Sequence, residues 1–121
     1  VVGSNDESIA LLAEMIGHDA VVRVSGEIDL ATVEPLRDYL NAAIDVVVPP
    51  GRVIVDLNGV EFFSSAGIGE LVTARNACIE QATPLILVAE QPVVLRPMET
   101  TGLARMFDIR SSGGAIPEQA L

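Results

Sequence analysis

The sequence contains no lysine and no tryptophan, and only one histidine, one cysteine and one tyrosine. Every base is therefore arginine, seven of them against seventeen acids, for a formal net charge of -10 at neutral pH. A surface this acidic repels phosphodiester backbones and anionic lipid, so neither nucleic acid nor membrane is an expected partner; a basic protein surface is. Three phenylalanines and the lone tyrosine do not supply the exposed rings on which single-stranded nucleic acid stacks. Cys78 has no second thiol, which excludes an internal disulfide and fits a reducing cytosol, so a cytoplasmic location is expected. One histidine and one cysteine cannot make a structural zinc site of ordinary spacing. No apolar run approaches the ~20 residues that cross a bilayer, and the opening "VVGSNDESIA" does not read as a signal peptide.

What the chain has in abundance is aliphatic residues. Half of its 121 positions are hydrophobic, mostly Val, Leu, Ile and Ala. A domain of this size buries roughly two-thirds of its unfolded surface and needs no disulfide or metal staple. "SIALLAEMIG" reads as a first strand, with helix left open by its Ala and Leu content. "AVVRVSGEI" is a firmer strand, because Val21, Val22 and Val24 are β-branched. Thr32 is placed to cap a following helix, with Glu34 a favourable first-turn acid and Leu36, Leu40, Ala43, Ile44 and Val47 along one side. "VPPG" stops that helix. "RVIVDL" (52–57) is a short run suited to a strand buried on both faces. Ile68, Leu71, Val72, Cys78 and Ile79 then recur at helical spacing. "PLILVAE" is a further strand, "PVVLRPMETTGLARMF" holds a short helix closed around Gly102, and "FDIR" reads as an edge strand. The alternation implies one α/β domain over residues 1–110, a mixed sheet of four to five strands with helices packed on it; 111–121 is expected to be a flexible tail.

Between the third strand and the second helix stands "VDLNGVEFFSSAGIGEL" (55–71), with Ser64 and Ser65 adjacent at the junction. A hydrolase nucleophile elbow would want Gly where Phe63 stands and its histidine after the serine, whereas His18 precedes it in a surface turn. There is no phosphate-cradling "GKS" or "GKT" and no G-x-G-x-x-G. Cys78, mid-helix, reads as a small core residue. Ser64 or Ser65 can cap the helix, worth ~1 kcal/mol. One cap needs only one hydroxyl. Ala66 and Gly67 leave the first-turn N–H groups accessible, so a serine there could carry a phosphate without wrecking the fold.

"VRVSGEIDLATVEPLRDYL", followed by "VIVDLNGVEFFSSAGIGEL", resembles the STAS domain of bacterial anti-sigma factor antagonists. Gly26-Glu27-Ile28-Asp29 and Thr32 match the family's first signature; Asp56-Leu57, Val60, Phe62 and Ser64-Ser65-Ala66-Gly67-Ile68 stand against its second, Asp-Leu and then Asp-Ser-Ser/Thr-Gly-Leu. "LILVAEQPVVLRPMETTGLARMFDI" resembles the closing segment. The resemblance implies phosphorylation of Ser65 by a partner kinase, with Ser64, in place of the usual Asp, the weaker alternative acceptor. It implies partner contact through Asp29, Leu30, Thr32, Ser64, Ala66 and Gly67. It further implies a non-enzymatic protein that binds an anti-sigma factor, a serine kinase of the histidine-kinase-like ATPase type, and so frees a sigma factor. A serine phosphatase would reset the switch. No cofactor belongs to this chain; ATP and magnesium are expected on the kinase. The alternative within the family is a STAS module that binds a nucleotide or regulates a transport or stress-signalling partner.

Overall fold

A tight turn at Gly17 and His18 joins the first two strands, β1 (Ile9–Ile16) and β2 (Asp19–Ile28), in the computed structural model, which describes residues 8–117. Gly17 takes φ +61°, left-handed backbone that glycine adopts without strain. The two strands pair antiparallel from Ile9↔Gly26 to Ile16↔Asp19, which settles the helix-or-strand ambiguity of the first stretch in favour of strand. The chain continues through α1 (Val33–Val46), β3 (Val53–Phe63), α2 (Ser65–Glu80), β4 (Leu85–Val88), α3 (Pro92–Thr100), a 3-10 turn (Leu103–Met106) and β5 (Asp108–Arg110). The sheet runs β1-β2-β3-β4-β5 in sequence order, with β2 to β5 parallel and β1 antiparallel at one edge.

The main core lies between the sheet and the helices: Val22, Val24, Val55, Leu57 and Leu87 meet Leu36 and Leu40 of α1, Leu71 and Cys78 of α2, and Val94 and Met98 of α3. A smaller cluster, Ile16, Val21, Ile54, Ile86 and Val88, lies apart from it and is closed by Ala115 with Ile116 against it. Residues 111–117 of the expected flexible tail thus include a packed residue, because Ala115 is buried. The last four residues of that tail, and residues 1–7 of the stretch judged not to be a signal peptide, lie outside the described residues.

Three other expectations change. The third strand does not stop at Leu57 but runs to Phe63, absorbing "NGVEFF". Its register against β2 slips between Arg23 and Ser25 and again between Gly26 and Glu27, so the buried residues Leu57, Val60 and Phe63 fall every third position instead of every second. Ile79, assigned to the apolar side of the second helix, is 57% exposed, and Ala74 takes the inward place. Thr32 does precede α1, but its hydroxyl makes no cap bond. At the opposite end of the sheet, Asp19 Oδ1 accepts the Arg52 backbone N–H at 2.9 Å and Asp19 Oδ2 meets Arg52 Nη2 at 2.8 Å. That contact holds the Asp19 carboxyl below its ordinary range.

Candidate functional site

The site forms where β2 and β3 end side by side. Ile28 pairs with Phe63, and the Ser64 backbone N–H donates to the Ile28 carbonyl at 2.9 Å. The loop from Asp29 to Thr32 is thereby fixed beside the start of α2. It is locked from within. Asp29 Oδ1 accepts the N–H groups of Ala31 (2.9 Å) and Thr32 (3.1 Å), while Thr32 Oγ1 accepts the Asp29 N–H at 2.9 Å and donates to the Glu27 carbonyl at 2.9 Å. Thr32 is fully buried, so it shapes the loop and does not present itself to a partner. Asp29 is half-buried and engaged in the turn. Leu30 is the residue the loop projects outward, at 83% exposure.

Ser64 and Ser65 divide their roles. Ser64 has the extended backbone of an N-cap (φ -92°, ψ 173°), and its carbonyl accepts the Ile68 N–H at 3.2 Å. Its hydroxyl makes no cap bond; Oγ is buried with no hydrogen-bond partner among the described residues. The side-chain cap expected at this junction is therefore not made by Ser64, whose carbonyl only accepts the first bond of the helix. Ser65 is the first residue of α2 and is exposed. Ala66 is half-buried beside it.

Gly67 faces inward. A Cβ there would stand 2.5 Å from Ile28 Cγ2 and 2.8 Å from Phe63 Cε1, so the position serves helix-on-sheet packing and offers no surface. Gly69, one turn beyond Ser65, is exposed, with nothing within 4 Å of where its Cβ would be. Close packing therefore does not explain this glycine.

Phe62 is 49% exposed near the end of β3, opposite Glu27 in the register, and is, with Leu30, a second large exposed apolar group at these strand ends. No alternation signalled it, since burial along this stretch of β3 recurs every third residue and leaves both Glu61 and Phe62 exposed. Glu27 and Glu61 are exposed on the same strand ends. Glu70 is held by Arg37 of α1 through two bonds of 3.0 Å, a pairing that nothing in either residue's local sequence disclosed.

The structure separates other candidates from this site. His18 lies in the turn before β2 and Ser65 beyond the far end of the eleven-residue β3, on the order of 30 Å apart at ~3.3 Å per residue, so the two cannot form a nucleophile–base pair. Cys78 is buried in α2, and burial pushes its thiol pKa up. Among the described residues no group of three or more His, Cys, Asp or Glu could hold a metal ion, and no helix is long and apolar enough to cross a membrane.

Comparison with known proteins places the same segments in a common frame. The family model described as STAS domain matches residues 10–115. The chain is 32% identical over 93 residues to the anti-sigma-F factor antagonist RsfB of Mycobacterium tuberculosis, covering 77% of this chain and 74% of that protein. It is 31% identical over 93 residues to a second M. tuberculosis protein, named as an anti-anti-sigma factor; this covers 77% of the chain but only 63% of that relative's length. Among solved structures, an anti-sigma factor antagonist from Mycobacterium paratuberculosis superposes with a TM-score of 0.75 at 33% identity, covering 88% of each chain. The anti-sigma factor antagonist SpoIIAA in its unphosphorylated form gives 0.72 at 25% identity, covering 88% of this chain and 92% of that one.

Proposed function

The chain belongs to the STAS domain family, and on that premise we propose that it is an anti-sigma factor antagonist whose docking to an anti-sigma factor is controlled by phosphorylation of Ser65. The observation that carries this reading is the division of labour at the junction: Ser65 is exposed as the first residue of α2, while the neighbouring Ser64 hydroxyl is buried. Ser64 is thus removed as a competing acceptor, and Ala66 offers no hydroxyl. The names of the relatives, antagonists of anti-sigma factors, support the same reading.

In this scheme the chain is not an enzyme. It supplies the acceptor hydroxyl, and the anti-sigma factor, a kinase-like ATPase, supplies ATP and magnesium. A bond forms between Ser65 Oγ and the γ-phosphorus, the bond from that phosphorus to the bridging oxygen breaks, ADP leaves, and the hydroxyl proton passes to a base of the kinase. A phosphatase returns the hydroxyl by hydrolysis.

Electrostatics gives the step its direction. A phosphoserine adds a charge of about -1.5 to -2 next to strand ends on which Glu27 and Glu61 are already exposed. At the start of α2 the phosphate gains ~0.3–1 kcal/mol from the helix dipole, whereas desolvating it against a surface fitted to a neutral hydroxyl costs about 2–5 kcal/mol. Phosphorylation therefore expels the partner without unfolding the domain. Leu30 and Phe62 supply apolar contact area in the unmodified state, and the acidic rim selects a basic partner surface.

The test is incubation with the anti-sigma kinase of the source cell and ATP, followed by mass spectrometry. One phosphate is expected on the wild type and none on Ser65→Ala. A phosphate mapped only to another residue defeats the assignment. Saturable nucleotide binding by the isolated chain, with no protein partner, would favour a ligand-binding STAS module instead.

A further inference from the structure

Strand β1 forms one edge of the sheet, and among the described residues its one neighbour is β2. The Ser8 carbonyl accepts the Glu27 N–H at 2.7 Å, and the β1–β2 register runs on from there without a bulge. Even-numbered residues of β1 therefore turn their backbone groups to β2, while Ile9, Leu11, Ala13 and Met15 turn theirs to the edge. Ile9 and Leu11 are buried, whereas Ala13 is half-buried and Met15 is 50% exposed, so the edge is open in its second half. Beside that half lies an apolar crevice of about 260 Å³, lined by Ala13, Met15 and Ala20 of the hairpin and by Ala42 and Val46 of α1. Val46, at the end of that helix, is 57% exposed. The one charged residue lining the crevice, Glu14, is bonded to Arg23 Nε at 3.3 Å.

We propose that this edge and crevice are the contact between two copies of the chain, in which the β1 strands pair antiparallel across a two-fold axis. Natural edge strands are kept apart by lysine, proline, a bulge or an uncompensated charge. The strand "IALLAEMI" has none of these: its only charge is Glu14, and that carboxylate already has Arg23. Charge also selects the occupant. A chain of net charge -10 repels its own copies over most of its surface, and its acidic regions select basic partners. Neither holds at the crevice, which is apolar and whose single acid is paired. In an antiparallel pair the same strand supplies both sides, so each open edge satisfies the other's N–H and C=O groups. The axis stands perpendicular to the joined sheet, which sets both α1 helices on one face and covers the exposed Met15 and Val46 side chains of each copy. The opposite edge, β5, is only three residues long and exposes Asp108 and Arg110, so the association closes at two copies. The contact lies at the Ala20 end of β2, about 26 Å from Ile28 at ~3.3 Å per residue, and leaves the Ser65 end of the sheet open.

The test is sedimentation equilibrium of the full chain from about 1 µM to about 1 mM, with amide hydrogen exchange read by NMR over the same range. The wild type is expected to pass from monomer to dimer. The Ala13 and Met15 amides, which the β1–β2 ladder leaves unbonded, are expected to gain protection as the dimer forms. Met15→Glu and Val46→Glu each put a carboxylate at an exposed position and should weaken the association by about tenfold or more, with the circular dichroism of the fold unchanged. Should either variant fail to fold, the concentration dependence of the two wild-type amides decides. A wild type that stays monomeric throughout overturns the proposal and leaves the edge to a strand of another protein. A dimer in which the Ala13 and Met15 amides exchange as fast as in the monomer places the contact elsewhere and overturns it equally.

Discussion

The Ser64 backbone N–H donates to the Ile28 carbonyl at 2.9 Å, and this bond brings the Asp29–Thr32 loop against the start of α2. Two segments separated by more than thirty residues in sequence therefore form one surface. The loop owes its shape to Thr32, whose hydroxyl serves Asp29 N–H and the Glu27 carbonyl together.

Thr32→Val keeps the shape of the side chain and deletes both bonds. A loss of about 1–3 kcal/mol is expected in urea denaturation, since two polar groups of the loop lose their partner. Partner affinity should fall as well. Leu30→Ala should weaken the partner with stability within about 0.5 kcal/mol of wild type, because the side chain is 83% exposed. Equal losses of stability in the two variants would contradict this assignment.

Ser64→Ala distinguishes a capping hydroxyl from an orphaned one. Loss of a side-chain cap would cost ~1 kcal/mol. The buried Oγ has no partner, so its removal should instead leave the melting temperature unchanged or raise it. A clear drop in calorimetry would show that the hydroxyl is bonded after all.

The two glycines of the motif should respond in opposite directions. Gly67→Ala forces a Cβ against Ile28 and Phe63 and is expected to cost about 1–3 kcal/mol. Gly69→Ala meets open space on an exposed helix and should stabilise by about 0.5–1 kcal/mol. Chemical denaturation of both variants decides the matter, and the same sign in both would refute the geometry.

Much of this was legible in the residues. The β-branched runs marked β2 and β3, and the helical spacing of Leu36, Leu40 and Ala43 marked α1. The serine junction stood out because small residues follow it. What escaped was non-local. The extension of β3 to Phe63 depends on bulges against β2, which turn a period of two into three at Leu57, Val60 and Phe63. Thr32 has the sequence of a cap, yet a fully buried hydroxyl is better served by two loop groups than by one helix N–H. The inward turn of the Ser64 hydroxyl, the Arg37–Glu70 pair and the burial of Ala115 each require a neighbour distant in sequence.

Acid should destabilise the fold partly through Asp19. Its carboxyl titrates below the ordinary 3.8 because of the Arg52 hydrogen bond. A depressed folded value means that the contribution is complete where the unfolded carboxylate is ionised, above about pH 4, and disappears as pH falls through the folded value. Asp19→Asn should lower stability at neutral pH by about 1–3 kcal/mol and flatten the acid limb of a stability–pH curve. The half-exposed Asp108–Arg110 pair should add little. An unchanged acid limb in Asp19→Asn would reassign the effect.

The most direct measurement is the dissociation constant between the anti-sigma factor and this chain, determined side by side for the unmodified protein and for protein carrying phosphoserine at position 65. The account predicts a loss of about 100-fold or more in affinity, equivalent to roughly 2.7 kcal/mol, with both forms still folded. Equal affinity for the two forms would contradict it.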